Sequence, residues 1–232
     1  MSNLEEDIES ELKQLPPDLE STYTKIYEQV SYLPIASRAI AERSLKWLLC
    51  AQRRLSVEEF LAAVSVGAEG TITTKLSKER VLDICYNLVI FDTELSVFRF
   101  AHLSVRDFLI KREFTHEAAH ALAAERCLRV CLSNYDDPAP KDAPAANNNF
   151  ETYATVYCAI HWSMSGDHQS EGNLENLVRK FVLEAGEDSL FAKWTRSVRE
   201  TVEREAGLNL SIKRRVMSMI SDPPDPFFAV CV

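Results

Sequence analysis

Glycine is scarce in this chain, with 6 residues among 232. They stand at 67, 70, 166, 172, 186 and 207, and none lies in a Gly-x-x-x-x-Gly-Lys-Ser/Thr or Gly-x-Gly-x-x-Gly context. The loop that cradles nucleotide phosphates is therefore missing, and the chain is expected to bind no cofactor by itself. A Gly-x-Ser-x-Gly nucleophile elbow is missing as well, and no catalytic residue is assigned. No apolar run approaches the roughly 20 residues that span a bilayer. The start, Met1-Ser-Asn-Leu-Glu-Glu-Asp-Ile-Glu9, is acidic and has neither the basic start nor the apolar centre of a secretory signal. A cytoplasmic, non-enzymatic protein with no membrane partner is expected. A basic surplus is also lacking: the net charge of −9 argues against nucleic acid, whose phosphates demand a positive face.

Six cysteines (50, 85, 127, 131, 158 and 231) occur without Cys-x-x-Cys spacing, mostly within apolar helical patterns. Buried reduced thiols account for them better than disulfides or zinc. Cys127 and Cys131 share a helix face, but no histidine or acidic pair nearby completes a ligand set. Five histidines (102, 116, 120, 161 and 168) include His116-Glu-Ala-Ala-His120, formally a His-Glu-x-x-His pattern. It lies in an Ala-rich helix with no third ligand evident in sequence, so a zinc peptidase is disfavoured and no metal is expected.

Apolar residues supply 46% of the chain, enough for a packed core, and low glycine with Leu/Ala/Glu/Arg-rich stretches makes it mainly helical. The nine prolines cluster at 16–17, 34, 138–144 and 223–226, which read as boundaries. Residues 1–20 hold seven acids and one lysine. Helices are expected at 20–31, 36–51, from the capping box Ser56-Val-Glu-Glu59 to about 66, and at 78–87. A hairpin follows, Leu88–Phe91 returning through Ser96–Phe100. Three helices and a hairpin in this order make a winged helix. Beyond it, helices are expected at 115–134, 150–165, 173–185, 188–205 and 211–220. Trp47, Leu48, Phe60, Leu82, Phe98 and Phe108 are the candidate core of the winged helix. The basic group Arg38, Arg43, Lys46, Arg53 and Arg54 reads first as a solvated face and second as an interdomain contact.

The most informative stretch is Val97-Phe-Arg-Phe-Ala-His-Leu-Ser-Val-Arg-Asp-Phe-Leu109. A short alternating strand runs into a helix, with Ser104 and Asp107 at capping-box spacing. His102 sits at the junction, where a side chain is held stiffly and can face a ligand or another domain.

Residues 15–114 resemble the winged-helix domain that follows the NACHT nucleotide-binding module in fungal signalling NTPases of the STAND class. The same module is labelled the winged helix of a GPI inositol-deacylase-like family. The resemblance rests on Leu15-Pro-Pro-Asp-Leu-Glu-Ser-Thr-Tyr23, Leu45-Lys-Trp-Leu-Leu-Cys-Ala-Gln-Arg-Arg-Leu-Ser-Val-Glu-Glu-Phe60, Val81-Leu-Asp-Ile-Cys-Tyr-Asn-Leu-Val89 and Phe98–Phe108. It implies that His102, with Phe100 completing a Phe-x-His motif, reaches the β-phosphate of ADP held by a NACHT module. Arg106 and Asp107 stand where the family has Gln and Glu, so contacts of that helix are not carried over. The ending, Asp222-Pro-Pro-Asp-Pro-Phe-Phe-Ala-Val-Cys231, resembles the lead-in to ankyrin repeats.

The expected organisation is therefore an acidic segment and linker helix (1–34), a winged helix (35–114), a helical connector (115–222) and a lead-in to a possible ankyrin region (223–232). The expected function is a non-catalytic module coupling the nucleotide state of a NACHT partner to a sensor region. The alternative is a stand-alone interaction scaffold with no nucleotide link.

Overall fold

The computed structural model describes residues 17–65, 76–112, 114–136, 148–170, 172–182, 186, 188–205 and 207–220. Helix α1 (Pro17–Ser31) leads into α2 (Ile35–Cys50), α3 (Val57–Ser65) and α4 (Lys78–Ile84). Strands β1 (Val89–Asp92) and β2 (Val97–Phe100) then form an antiparallel hairpin with Val89 opposite Phe100 and Asp92 opposite Val97. Helices α5 (Leu103–Arg112), α6 (His116–Asp136) and α7 (Asn148–Ser163) follow. After a 3₁₀ turn at Gly166–Ser170 come α8 (Gly172–Val182), α9 (Leu190–Arg204) and α10 (Leu210–Ser218). The chain is mainly helical, with one small sheet among the described residues, consistent with a winged helix. Gly67, Gly70, the prolines at 138–144, Cys231 and the segment 223–232 lie outside the described residues.

Local chemistry explains the boundaries. Pro34 precedes α2, where a missing N–H costs nothing. The capping box of α3 forms as expected: the Glu59 N–H donates to Ser56 Oγ at 3.2 Å, and the Ser56 N–H donates to Glu59 Oε2 at 2.8 Å. Ser77 caps α4 by accepting the Arg80 N–H at 3.2 Å. In the hairpin turn Asp92 Oδ1 accepts the N–H groups of Glu94 and Leu95, and Ser96 takes a left-handed φ of 53°.

Packing runs without a break from the winged-helix elements into the later helices. Tyr23 and Tyr27 of α1, four apart on one face, meet Phe108 at 5.6 Å and Phe114 at 5.8 Å between ring centroids. Phe60 stacks on Phe98 of the wing at 4.6 Å. Trp47, wholly buried, lies edge-on to Phe150 at 5.4 Å and to Tyr153 at 5.8 Å, both on α7. Of the expected core, Trp47, Phe60, Phe98 and Phe108 are buried, while Leu48 and Leu82 are half-buried against it. The cysteines at 50, 85, 127, 131 and 158 are all buried and free.

Candidate functional site

His102 occupies the position immediately before α5, and its imidazole does the work of a capping side chain. Nδ1 accepts the Ser104 backbone N–H at 3.2 Å. It also lies 2.6 Å from Ser104 Oγ, which is 2.7 Å from Tyr23 Oη. An N–H pointing at Nδ1 requires a lone pair there, so the neutral ring carries its proton on Nε2. The order of donation follows: Tyr23 O–H to Ser104 Oγ, and Ser104 O–H to Nδ1. Ser104 and Tyr23 are buried, whereas His102 is exposed. The backbone N–H of residue 104 thus fixes the tautomer of an exposed ring, and a buried two-hydroxyl relay supplies a second donor to the same nitrogen. Its remaining donor, Nε2–H, takes no partner among the described residues.

This geometry corrects one sequence expectation. Ser104 does not cap α5 with Asp107, because the helix already runs from Leu103 and His102 holds the cap position. The serine lies inside the first turn, its hydroxyl is committed to Tyr23 and His102, and Asp107 is exposed. The return strand ends at Phe100 as expected; Ala101 still donates its N–H to the Leu88 carbonyl at 3.0 Å, and the chain bends at 101–102 into α5. Leu103 and Arg106 in the first turn of α5 are exposed, and Phe108 is buried.

The basic group at 38–54 is largely spoken for. The Arg53 guanidinium grips Glu59 with both ends at 2.8 and 2.6 Å and lies over the Tyr153 ring at 5.2 Å. Its hydrogen bond to Glu59 raises its already high pKa. Arg43 Nε donates to the Val64 carbonyl at 2.8 Å. Arg38 pairs with Glu42 at 3.8 Å, and Lys46 lies 6.0 Å over Phe114. Much of this group braces the fold rather than forming one free cationic face. Arg53, Arg54 and Arg99 line an open groove of about 210 Å³ floored by Trp47, Phe60 and Phe98.

Three sequence-distant residues meet deeper in the core. The potential ligand atoms of Cys50, His120 and His161 lie within 4.8 Å of one another, and all three residues are buried. The two histidines face each other Nδ1 to Nδ1 at 2.8 Å. His161 Nε2 is 2.9 Å from Tyr153 Oη, which accepts the Gln52 N–H at 2.9 Å. The Cys50 thiol makes a long contact to the Ala119 carbonyl at 3.5 Å. Burial pushes the His120 imidazole down from its ordinary 6.5 to about 4; the charges of His116 and Arg215 add to this and Glu117 opposes it. His161 is held well below 6.5, first by burial and then by His120. Burial drives the Cys50 thiol upward. His120 thus leaves its helical neighbour His116 for His161, and neither His116 nor Glu117 joins the triad. The sequence offered no local spacing for this group, since its members stand at 50, 120 and 161; the signal was two histidines on apolar helix faces.

With three helices, a two-stranded wing and α5 in place, the order of elements can be set against known families. Residues 27–123 match the family model described as GPI inositol-deacylase, winged helix domain. The match takes in α2–α5, both wing strands and His102, and covers less than half of the chain. No curated protein and no solved structure matches the chain. The winged helix is thus assigned by sequence pattern and by its elements together.

Proposed function

We propose that this winged helix is a non-catalytic regulatory module that couples the nucleotide state of a NACHT-type partner to a sensor region, with His102 as its nucleotide-facing residue. The observation that carries the reading is the fixed Nε2–H tautomer of an exposed histidine at the start of α5. A phosphate oxygen is a natural acceptor for that donor, and the first N–H groups of a helix favour an anion beside it. The nucleotide would be ADP or ATP bound by the separate module, since this sequence holds no P-loop. The module and an ankyrin-type sensor would be partners within one polypeptide or in trans. Nucleic acid is not part of the proposal: Arg80 of α4 is bonded to Ser37 Oγ at 2.8 Å, and Arg99 of the wing pairs with Asp92 at 3.0 Å. Among the described residues no helix is long and apolar enough to cross a membrane.

The test is His102→Ala in the native assembly containing the nucleotide-binding module. Loss of one charge-assisted hydrogen bond, about 1.5–3 kcal/mol, corresponds to ADP release roughly 10–100-fold faster. Constitutive signalling should accompany it, because the closed state loses a tie. Unchanged ADP retention removes the phosphate role.

A stand-alone interaction scaffold is the second reading. The observation favouring it is the exposure of Tyr32 and Ile35, 87% and 80%, at the turn between α1 and α2. Large apolar side chains left in solvent three residues apart are candidates for a contact surface. The transcript across both ends of the reading frame separates the two readings: an upstream P-loop favours the switch, and its absence favours the scaffold.

A further inference from the structure

We propose that Cys50, His120 and His161 form a binding site for a thiolate- and imidazole-preferring transition-metal cation, zinc-type or cuprous, that ties the end of α2 to α6 and α7. The site departs from the sequence expectation of no metal. It is also unrelated to the His-Glu-x-x-His pattern, because His116 and Glu117 are not in it.

The geometry needs little adjustment. Two imidazole nitrogens bound at about 2.0–2.1 Å to a tetrahedral ion stand roughly 3.3 Å apart, and a thiolate at about 2.3 Å stands roughly 3.6 Å from each. Here the nitrogens are 2.8 Å apart and all three ligand atoms fall within 4.8 Å. Opening the histidine pair by about half an ångström and drawing the sulfur in by up to about 1.2 Å would admit the ion, movements on the scale of side-chain rotations.

The surroundings are those of a supported ligand set. A metal-bound imidazole typically gives its other N–H to a fixed acceptor. For His161 that acceptor is Tyr153 Oη, held at 2.9 Å and itself anchored by the Gln52 N–H. The Trp47 ring lies 5.8 Å from His161 and shields it. Without metal, the facing Nδ1 atoms share a single proton, and the thiol has only its long contact to a carbonyl. With metal, both Nδ1 lone pairs and the sulfur turn to one centre. The thiol proton leaves to solvent, and the proton shared between the facing nitrogens moves to the Nε2 of the ring that holds it. No electron transfer is involved, and copper enters already as Cu(I).

Charge distinguishes the two ions. One thiolate and two neutral imidazoles exactly offset a monovalent cation, giving a neutral three-coordinate cuprous site. A divalent zinc-type ion would retain one positive charge in the core, and would take a solvent hydroxide in a fourth position to cancel it.

The experiment strips the purified full chain with a chelator under reducing conditions and titrates it in two arms. One arm uses Co²⁺ as the spectroscopic stand-in for zinc; the other uses Cu⁺ in competition with a cuprous chelator. Stoichiometric binding in either arm is expected, with a thiolate-to-metal charge-transfer band in the cobalt arm if that ion is taken. Cys50→Ser should abolish the binding, His120→Ala and His161→Ala should weaken it, and Cys85→Ala should leave it intact. Tyr153→Phe should weaken it on the order of 10–100-fold through the lost support of His161. Binding in neither arm, or binding that survives Cys50→Ser unchanged, overturns the proposal. Should Cys50→Ser not fold, X-ray absorption on the wild-type adduct decides. A sulfur neighbour at about 2.3 Å beside nitrogens near 2.0 Å supports the site, and a shell of nitrogen and oxygen alone refutes it.

Discussion

Removing the Ser104 hydroxyl tests whether His102 is held by a relay or merely lies beside it. In Ser104→Ala, Tyr23 Oη loses its acceptor at 2.7 Å and is left buried without a partner. An unsatisfied buried hydroxyl costs about 1–3 kcal/mol, and the lost bond to the exposed ring adds about 0.5 kcal/mol, so a destabilisation of about 2 kcal/mol is expected. Tyr23→Phe leaves Ser104 free to keep its bond to His102 and should cost only about 1 kcal/mol. The double variant has no orphaned hydroxyl and should cost about 1.5 kcal/mol, well under the roughly 3 kcal/mol of the summed single changes. Urea unfolding of the four proteins gives this coupling directly, and ¹⁵N shifts of the His102 ring give the tautomer. Wild type and Ser104→Ala should both show a protonated Nε2 and an unprotonated Nδ1, because the backbone N–H of residue 104 stays aimed at Nδ1. Additive energies would refute the relay.

Two further substitutions probe charges that the core has absorbed. Glu59→Ala removes the reciprocal half of the α3 capping box, the bond accepted from the Ser56 N–H, and strands the Arg53 guanidinium, so it should cost about 3 kcal/mol by urea unfolding. A cost below about 1 kcal/mol would mean that the bidentate pair is no more than a surface contact. Arg126 is buried, donates to the Ala62 carbonyl at 3.0 Å and has no partner for Nε; burial lowers its pKa to about 10. Arg126→Met keeps the long apolar stem without the charge, and should unfold at a urea concentration equal to or above that of wild type. A loss exceeding about 1 kcal/mol would show that the guanidinium stabilises the fold.

The elements were readable because their signals are local. Tyr23, Ile26, Tyr27 and Val30 repeat at helical spacing, Ser56 and Glu59 form their box, and Val89 to Phe100 alternates around a turn. These interactions lie within a few residues, where period and capping chemistry act directly. Ser104 misled for an instructive reason. The spacing to Asp107 is that of a box, but His102 already satisfies the first helical donors, and Tyr23, 81 residues earlier, claims the hydroxyl. Arg53 misled in the same way: a run of basic residues looks solvated until Glu59 and the ring of Tyr153, a hundred residues on, are brought to it. The Cys50–His120–His161 group has no spacing at all, because it exists only once α2, α6 and α7 pack.

That packing constrains how any signal leaves His102. Trp47, Cys50, Gln52 and Arg53 all lie at or just beyond the end of α2, and each reaches residues of α6 or α7: Phe150, Ala119, Tyr153 and again Tyr153. Close-packed aromatic rings and buried hydrogen bonds do not deform continuously; they hold one arrangement or break to another. In the proposed switch, a pull on the ring of His102 would pass through Ser104 to Tyr23 of α1, and through the Tyr23–Phe108 contact to α5. It cannot be absorbed by a loose joint between the winged helix and α6–α7, because the end of α2 is embedded in them. A switch built on this module must therefore move the winged helix and α6–α7 as one body, or break the aromatic cluster around Tyr153.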